Sequence, residues 1–177
     1  EQIALINYPN IDTAMKKWAL ISVMVFLVSM LYGQNKVPDI KLKRMNGKFV
    51  MLQDFLKKGP VLINFWATWC APCKKEMVHL DEFEKKYTDK GLSVLAISID
   101  SQKSISQVRS YIRAKKYSFD VFLDPNSQVL KKLNGNLMPT DILIGQDGTI
   151  LWRHNGYIPG DEKKIEAEIK AAVQSTS

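Results

Sequence analysis

Val61-Leu62-Ile63-Asn64-Phe65-Trp66-Ala67-Thr68-Trp69-Cys70-Ala71-Pro72-Cys73-Lys74-Lys75-Glu76 is the stretch on which the fold turns. Val61 to Trp66 is apolar but for Asn64 and reads as a central strand covered on both faces. From Pro72 to Tyr87 the spacing of Met77, Leu80, Phe83 and Tyr87 gives one buried helical stripe, which Gly91 ends. Cys70 and Cys73, the only cysteines of the chain, fall at the junction. A cysteine opening a helix faces unpaired backbone N–H groups and the positive end of the helix dipole, and both favour the thiolate, which is the attacking species. Cys70 is therefore the expected nucleophile, exposed and readily ionised. Cys73, one turn later, can close a small ring and release whatever Cys70 has attacked. A bridge across so short a loop makes a poor structural staple, because it removes little unfolded-chain entropy. A zinc site would have to draw on His79 and His154, which lack the close pairing of finger patterns. Neither histidine reads as catalytic; both are expected to be structural or surface residues.

With 177 residues and 46% hydrophobic content, the chain can bury one domain-sized core, and it carries no repeat or low-complexity tract. The formal net charge is +7, all of it after residue 33, since Glu1 and Asp12 cancel Lys16 and Lys17. Basic residues are scattered as pairs such as Lys57-Lys58 and Lys115-Lys116, a solvated pattern without the basic and aromatic clustering that nucleic acid requires. Met15-Lys16-Lys17 followed by the uncharged run from Trp18 has the shape of a secretory signal, with Gly33 before the cut. The run also approaches the roughly 20 residues that span a bilayer, so an N-terminal membrane anchor is the second reading. Residues 1–33 are thus assigned as an upstream extension with signal peptide or anchor, and 34–177 as the folded domain. In either case Lys16 and Lys17 keep the start cytoplasmic and the domain outside.

Around the central strand, Ile40–Lys43 and Phe49–Leu52 flank Asn46-Gly47 as an N-terminal hairpin, and Asp54 is placed to cap a brief helix. Leu92–Ile99 is a second buried strand, reached by a helix and so parallel to the first. Ile105–Lys115 is amphipathic, with Val108 and Ile112 inward; Phe119–Leu123 is a further strand; Ser127–Leu133 is a short helix. Asp141–Ile144 and Thr149–His154 pair around Gly145-Gln146-Asp147-Gly148, and Asp161–Val173 closes the chain as a helix. The fold class is α/β, with a mixed central sheet flanked by helices.

Residues 37–173 resemble the thioredoxin fold, and within it the extracytoplasmic thiol-disulfide oxidoreductases of the TlpA and ResA type. The likeness rests on the Val61–Glu76 stretch, on Met138-Pro139-Thr140 before a strand, on the Gly145–Gly148 hairpin, and on a helix-strand insertion over 101–123. It implies a cis bond before Pro139, placed beside Cys70, with the backbone of Met138 receiving a substrate strand. Trp69 and Pro72 would shape the docking surface, and Trp66 and Trp69 would pack around the site and shield it. Asn64 stands where thioredoxin has a buried aspartate, so another group must take the proton of Cys73. Asp100 and Glu76 are the candidates, with Asp100 alternatively a loop cap and Glu76 expected at the helix surface paired to lysine.

The activity implied is reduction of disulfides in exported proteins, with apocytochrome c as a leading substrate and a membrane electron donor restoring the dithiol. No cofactor or metal is implied. Direction stays open, because a shift of about 30 mV in potential, about 1.4 kcal/mol, decides between reductase and oxidase. Two further readings are a peroxiredoxin-type thiol peroxidase and a non-enzymatic copper or redox-sensing binder. Ala67 holds the place where peroxiredoxins have threonine, and copper-delivery relatives space their cysteines by three residues rather than two.

Overall fold

The structure, a computed structural model, describes residues 11–32 and 36–175. They fall into two units, one ending at Asn35 and one beginning at Lys36. In the first, Ile11–Tyr32 forms a helix, α1, with Met15, Trp18, Leu20, Ile21, Val23, Met24 and Val25 exposed. Among the described residues no helix is long and apolar enough to cross a membrane.

The second unit is built on a seven-stranded sheet: β1 (Lys41–Arg44), β2 (Phe49–Met51), β3 (Val61–Trp66), β4 (Ser93–Ser98), β5 (Asp120–Leu123), β6 (Thr140–Ile144) and β7 (Ile150–Asn155), in the order β2-β1-β5-β4-β3-β6-β7. β3, β4 and β5 run parallel, while β6 lies antiparallel to β3. The C-terminal ends of β3 and β4 and the N-terminal end of β6 therefore open on the same edge. Helices α2 (Leu52–Leu56), α3 (Ala71–Tyr87), α4 (Ile105–Lys115), α5 (Gln128–Lys132) and α6 (Asp161–Gln174) connect and cover the strands. The mixed sheet, the hairpin around Gly47 and the inserted α4–β5 pair agree with the sequence reading, with strand ends shifted by a residue or two. One local reading is corrected. α2 begins at Leu52, and Asp54 sits inside its first turn paired to Lys57 rather than capping it.

All six residues of β3 are buried, and the strand's period of two divides them between two cores. Val61, Ile63 and Phe65 join Phe55, Leu130 and Leu133 on one face. Leu62 and Trp66 join Met77, Leu80, Phe83, Ile165 and Ile169 on the other, under α3 and α6. Each such side chain contributes about 1.5–3 kcal/mol by leaving water. Asn64 shares the second face and is fully buried, so its amide must find partners inside the protein.

Two turns pack tightly at the far end of β3. Gly91 follows a single 3₁₀ turn after α3 with φ +89°, and a Cβ there would stand 2.7 Å from the carbonyl oxygen of Lys58. A side chain would meet both a strained dihedral and fixed backbone. Gly91→Ala is expected to lower stability by roughly 1–3 kcal/mol, seen as a lower urea midpoint with unchanged slope; an unchanged midpoint would show that the 57–60 turn yields freely.

Candidate active site

Chain direction alone brings Cys70 to the edge. β3 ends at Trp66, the turn closes with Cys70 N–H donating to the Ala67 carbonyl at 3.0 Å, and α3 starts at Ala71 with Pro72 in its first turn. Cys70 is the N-cap residue: its Sγ accepts from the Cys73 N–H at 3.2 Å. That bond and the helix N-terminus would hold a thiolate on Cys70, and no acidic residue in the first turn opposes it. In this structure the two sulfurs form a disulfide, with Cα atoms 5.3 Å apart.

Access to the two sulfurs is unequal and narrower than the sequence suggests. Cys70 is not broadly exposed: it keeps 4% of its surface, whereas Cys73 keeps none. An incoming sulfur can reach the first and not the second. Trp69 does not shield the site either. It projects into solvent at 67% exposure, Leu137, two residues before Pro139, is also exposed, and Trp66 is wholly buried against Tyr111.

The Met138–Pro139 bond is cis. Phe65 pairs with Thr140, so Pro139 lies beside the end of β3 from which the Cys70 turn departs. Pro139 is buried, its carbonyl accepts from Gly156 N–H at 2.8 Å, and the Thr140 hydroxyl donates back to the Leu137 carbonyl. Met138 is half-buried against both cores, and its backbone groups bond no other described residue.

The two candidate proton acceptors have different environments. Asp100 is buried after β4, and its carboxylate accepts from Thr68 N–H (2.8 Å), Thr68 Oγ1 (2.5 Å) and Ser98 Oγ (2.8 Å). It braces the turn that carries Trp69 and Cys70. Glu76 is not on the helix surface with a lysine partner, as its neighbours in sequence suggested. It faces inward, fully buried, one turn after Cys73, and accepts from Asn64 Nδ2 at 2.8 Å. The same Nδ2 donates at 2.8 Å to Asp141 Oδ1, a carboxylate the sequence reading passed over. Its signal was a charged residue in the otherwise apolar run Asp141–Ile144; the register that sets it opposite Asn64 was not legible. Burial foremost, and then the neighbouring Asp141 charge, raise Glu76 far above an ordinary glutamate; burial likewise raises Asp141. His79 pairs with Glu82 and His154 with Asp161, each at 3.2 Å, in structural and partly exposed positions.

A parallel-centred sheet with a helix-capped dithiol beside a cis-proline defines a thioredoxin-like disulfide-exchange protein. Comparison with known proteins agrees. The Redoxin family profile matches residues 33–169. The thiol-disulfide oxidoreductase ResA of Bacillus thuringiensis subsp. konkukian is 32% identical over 133 residues, 75% of this chain and 73% of the relative. The thioredoxin-like protein YneN of Bacillus subtilis is 33% identical over 135 residues, 76% and 78% of the two chains. Among solved structures, a protein described as thiol:disulfide interchange protein DsbE from Chlorobium tepidum superposes with TM-score 0.72 at 31% identity, covering 78% of this chain and 96% of its own. The chain belongs to the redoxin family and is a thiol-disulfide oxidoreductase of the ResA and DsbE type.

The raised Glu76 carboxyl has a consequence for stability. A carboxyl that holds its proton more tightly folded than unfolded stabilises the fold fully below its ordinary value of 4.5, and that contribution is lost as pH rises toward the folded value. The melting temperature is expected to fall between about pH 6 and pH 9, and Glu76→Gln to flatten that fall. A variant as steep as the parent would place the proton elsewhere.

Proposed function

We propose that the protein reduces disulfides of exported proteins outside the cytoplasm. The observation that carries this reading is the asymmetry of the dithiol: Cys70 at a helix N-terminus with an edge in solvent, Cys73 sealed beneath it. The Cys70 thiolate attacks a substrate disulfide, forming a mixed disulfide and releasing one substrate thiolate. Cys73 then gives up its proton, attacks Cys70 Sγ, and frees the second substrate thiolate as the Cys70–Cys73 bond closes. Two electrons pass to the substrate, and a membrane electron donor returns them. Glu76, buried on the same helix face as Cys73, is placed to relay that proton, while Asp100 holds the turn.

The free backbone of Met138 beside cis-Pro139 suits an extended substrate segment, and exposed Trp69, Pro72 and Leu137 supply an apolar rim. Residues 1–33 fit an export signal or anchor, supported by the basic Lys16-Lys17 pair within α1 ahead of the exposed apolar side chains of Trp18, Leu20, Ile21, Val23, Met24 and Val25. Apocytochrome c, whose haem-attachment cysteines must be reduced, is the leading substrate. The likeness to ResA, a thiol-disulfide oxidoreductase, and to DsbE, described as a thiol:disulfide interchange protein, supports the chemistry.

Cys73→Ser is expected to accumulate covalent adducts on Cys70 in the native compartment, and Cys70→Ser to accumulate none. Adducts containing apocytochrome c would identify the substrate; a wider set of exported proteins would indicate general disulfide repair; adducts on Cys73 in the Cys70→Ser chain would overturn the assignment of roles. A reductase must also be more stable oxidised than reduced. Urea unfolding of the two forms is expected to show the higher midpoint for the disulfide form, and the reverse order would make the protein an oxidase.

A further inference from the structure

One face of the sheet carries a polar row that the disulfide chemistry does not account for. Asn64 on β3 pairs with Asp141 on β6, and Asp141 pairs with His154 on β7, so their side chains stand side by side across three strands. Glu76 of α3 lies over the inner end of this row through Asn64 Nδ2. Asp161, opening α6, meets His154 at 3.2 Å at the outer end, where both are partly exposed. The row leads from the core to the surface.

The inner end cannot be fully ionised. Asn64 supplies one N–H to each carboxylate, which leaves Glu76 Oε1 and Asp141 Oδ2 buried with no donor. Two like charges sharing a buried site would repel strongly, and among the described residues neither carboxylate forms an ion pair with a lysine or arginine, His154 beside Asp141 being engaged by Asp161. Asn64 Nδ2 lies 2.8 Å from an oxygen of each carboxyl and so brings the two acids together, and a proton shared between them relieves their repulsion and supplies the donor that the pair lacks.

We propose that Asp141 is the positioning partner of Glu76: the two carboxyls hold one proton between them at neutral pH, and the pair, acting as a unit, takes the Cys73 proton during resolution. In that step the Cys73 S–H bond breaks, its proton joins the pair, which passes from one proton to two, and the Cys73 electron pair forms the bond to Cys70 Sγ as the substrate thiolate leaves. His154 stands at the solvent end to return the extra proton to water. The titratable and polar groups around the pair are Asn64 from β3, Cys73 and His79 from α3, His154 from β7, Tyr157 from the following turn, and Asp161 from α6; Tyr157 is engaged by Glu162 and His79 by Glu82. The inference rests on the roles given above to Cys70 and Cys73, so its test reads those roles separately.

Mixing the reduced full chain with the aromatic disulfide dithiobis(nitrobenzoate) releases one thiolate when Cys70 attacks and a second when Cys73 resolves, and stopped-flow absorbance follows both. Asp141→Asn is expected to leave the first phase within about twofold and to slow the second at least about tenfold, with its pH midpoint displaced. Glu76→Gln should do the same, and the double variant should be no slower than either single one. A second phase unchanged in rate and pH profile in Asp141→Asn, or single effects that multiply in the double variant, would overturn the pair. Absence of two phases in the unaltered chain would instead remove the dithiol mechanism on which it rests. Should Asp141→Asn not fold, carboxyl-carbon NMR titration of the unaltered protein decides: Glu76 and Asp141 are expected to share the same two midpoints, and independent single-step curves would overturn the proposal.

Discussion

Burial of β3 on both faces is the constraint from which the rest follows. A strand flanked by β4 and β6 and covered by two cores leaves its end as the only place where reactive groups can meet solvent. α3 begins there, so Cys70 receives both the helix N-terminus and a sliver of surface, while Cys73 is carried inward by the first turn. The difference in reach between the two sulfurs is thus a property of the strand-to-helix junction. No additional device is required to order attack before resolution.

The same burial sets the electrostatics. Asn64 lies in the middle of a strand buried on both faces, and its Nδ2 donates to carboxylates from α3 and β6 while its Oδ1 has no partner among the described residues. An asparagine can bridge two acids but cannot titrate, so a proton held at this point of the core sits on Glu76 or Asp141. Asp100 shows the contrasting use of a buried carboxylate. Three donors saturate it, and it holds the Trp69–Cys70 turn in place. Two acids near one dithiol differ in role because one is supplied with donors and the other is starved of them.

The edge around Pro139 has a related logic. Pro139 cannot donate to the sheet, and the Met138 backbone beside it stays free of the ladder, which leaves an open strand position at the edge where β3 ends. Thr140 and Gly156 tie the segment down from the other side.

Sequence alone determined the elements and the chemistry: the apolar run 61–66, the helical stripe to Tyr87, the Asn46-Gly47 turn and the placement of Cys70 and Cys73 are all local patterns, written by side-chain period and backbone preference. Tertiary structure decided which faces those elements bury. Glu76 sits between Lys75 and Met77, and nothing local distinguishes a surface carboxylate from one turned into the core; Trp69 looks like core packing and points outward; Asp141 acquires its partner only through a register spanning 77 positions. Strand register and helix rotation are fixed by the summed packing of distant residues, so Glu76, already a candidate in the sequence, gains its buried setting and its neighbour Asp141 only in the folded chain.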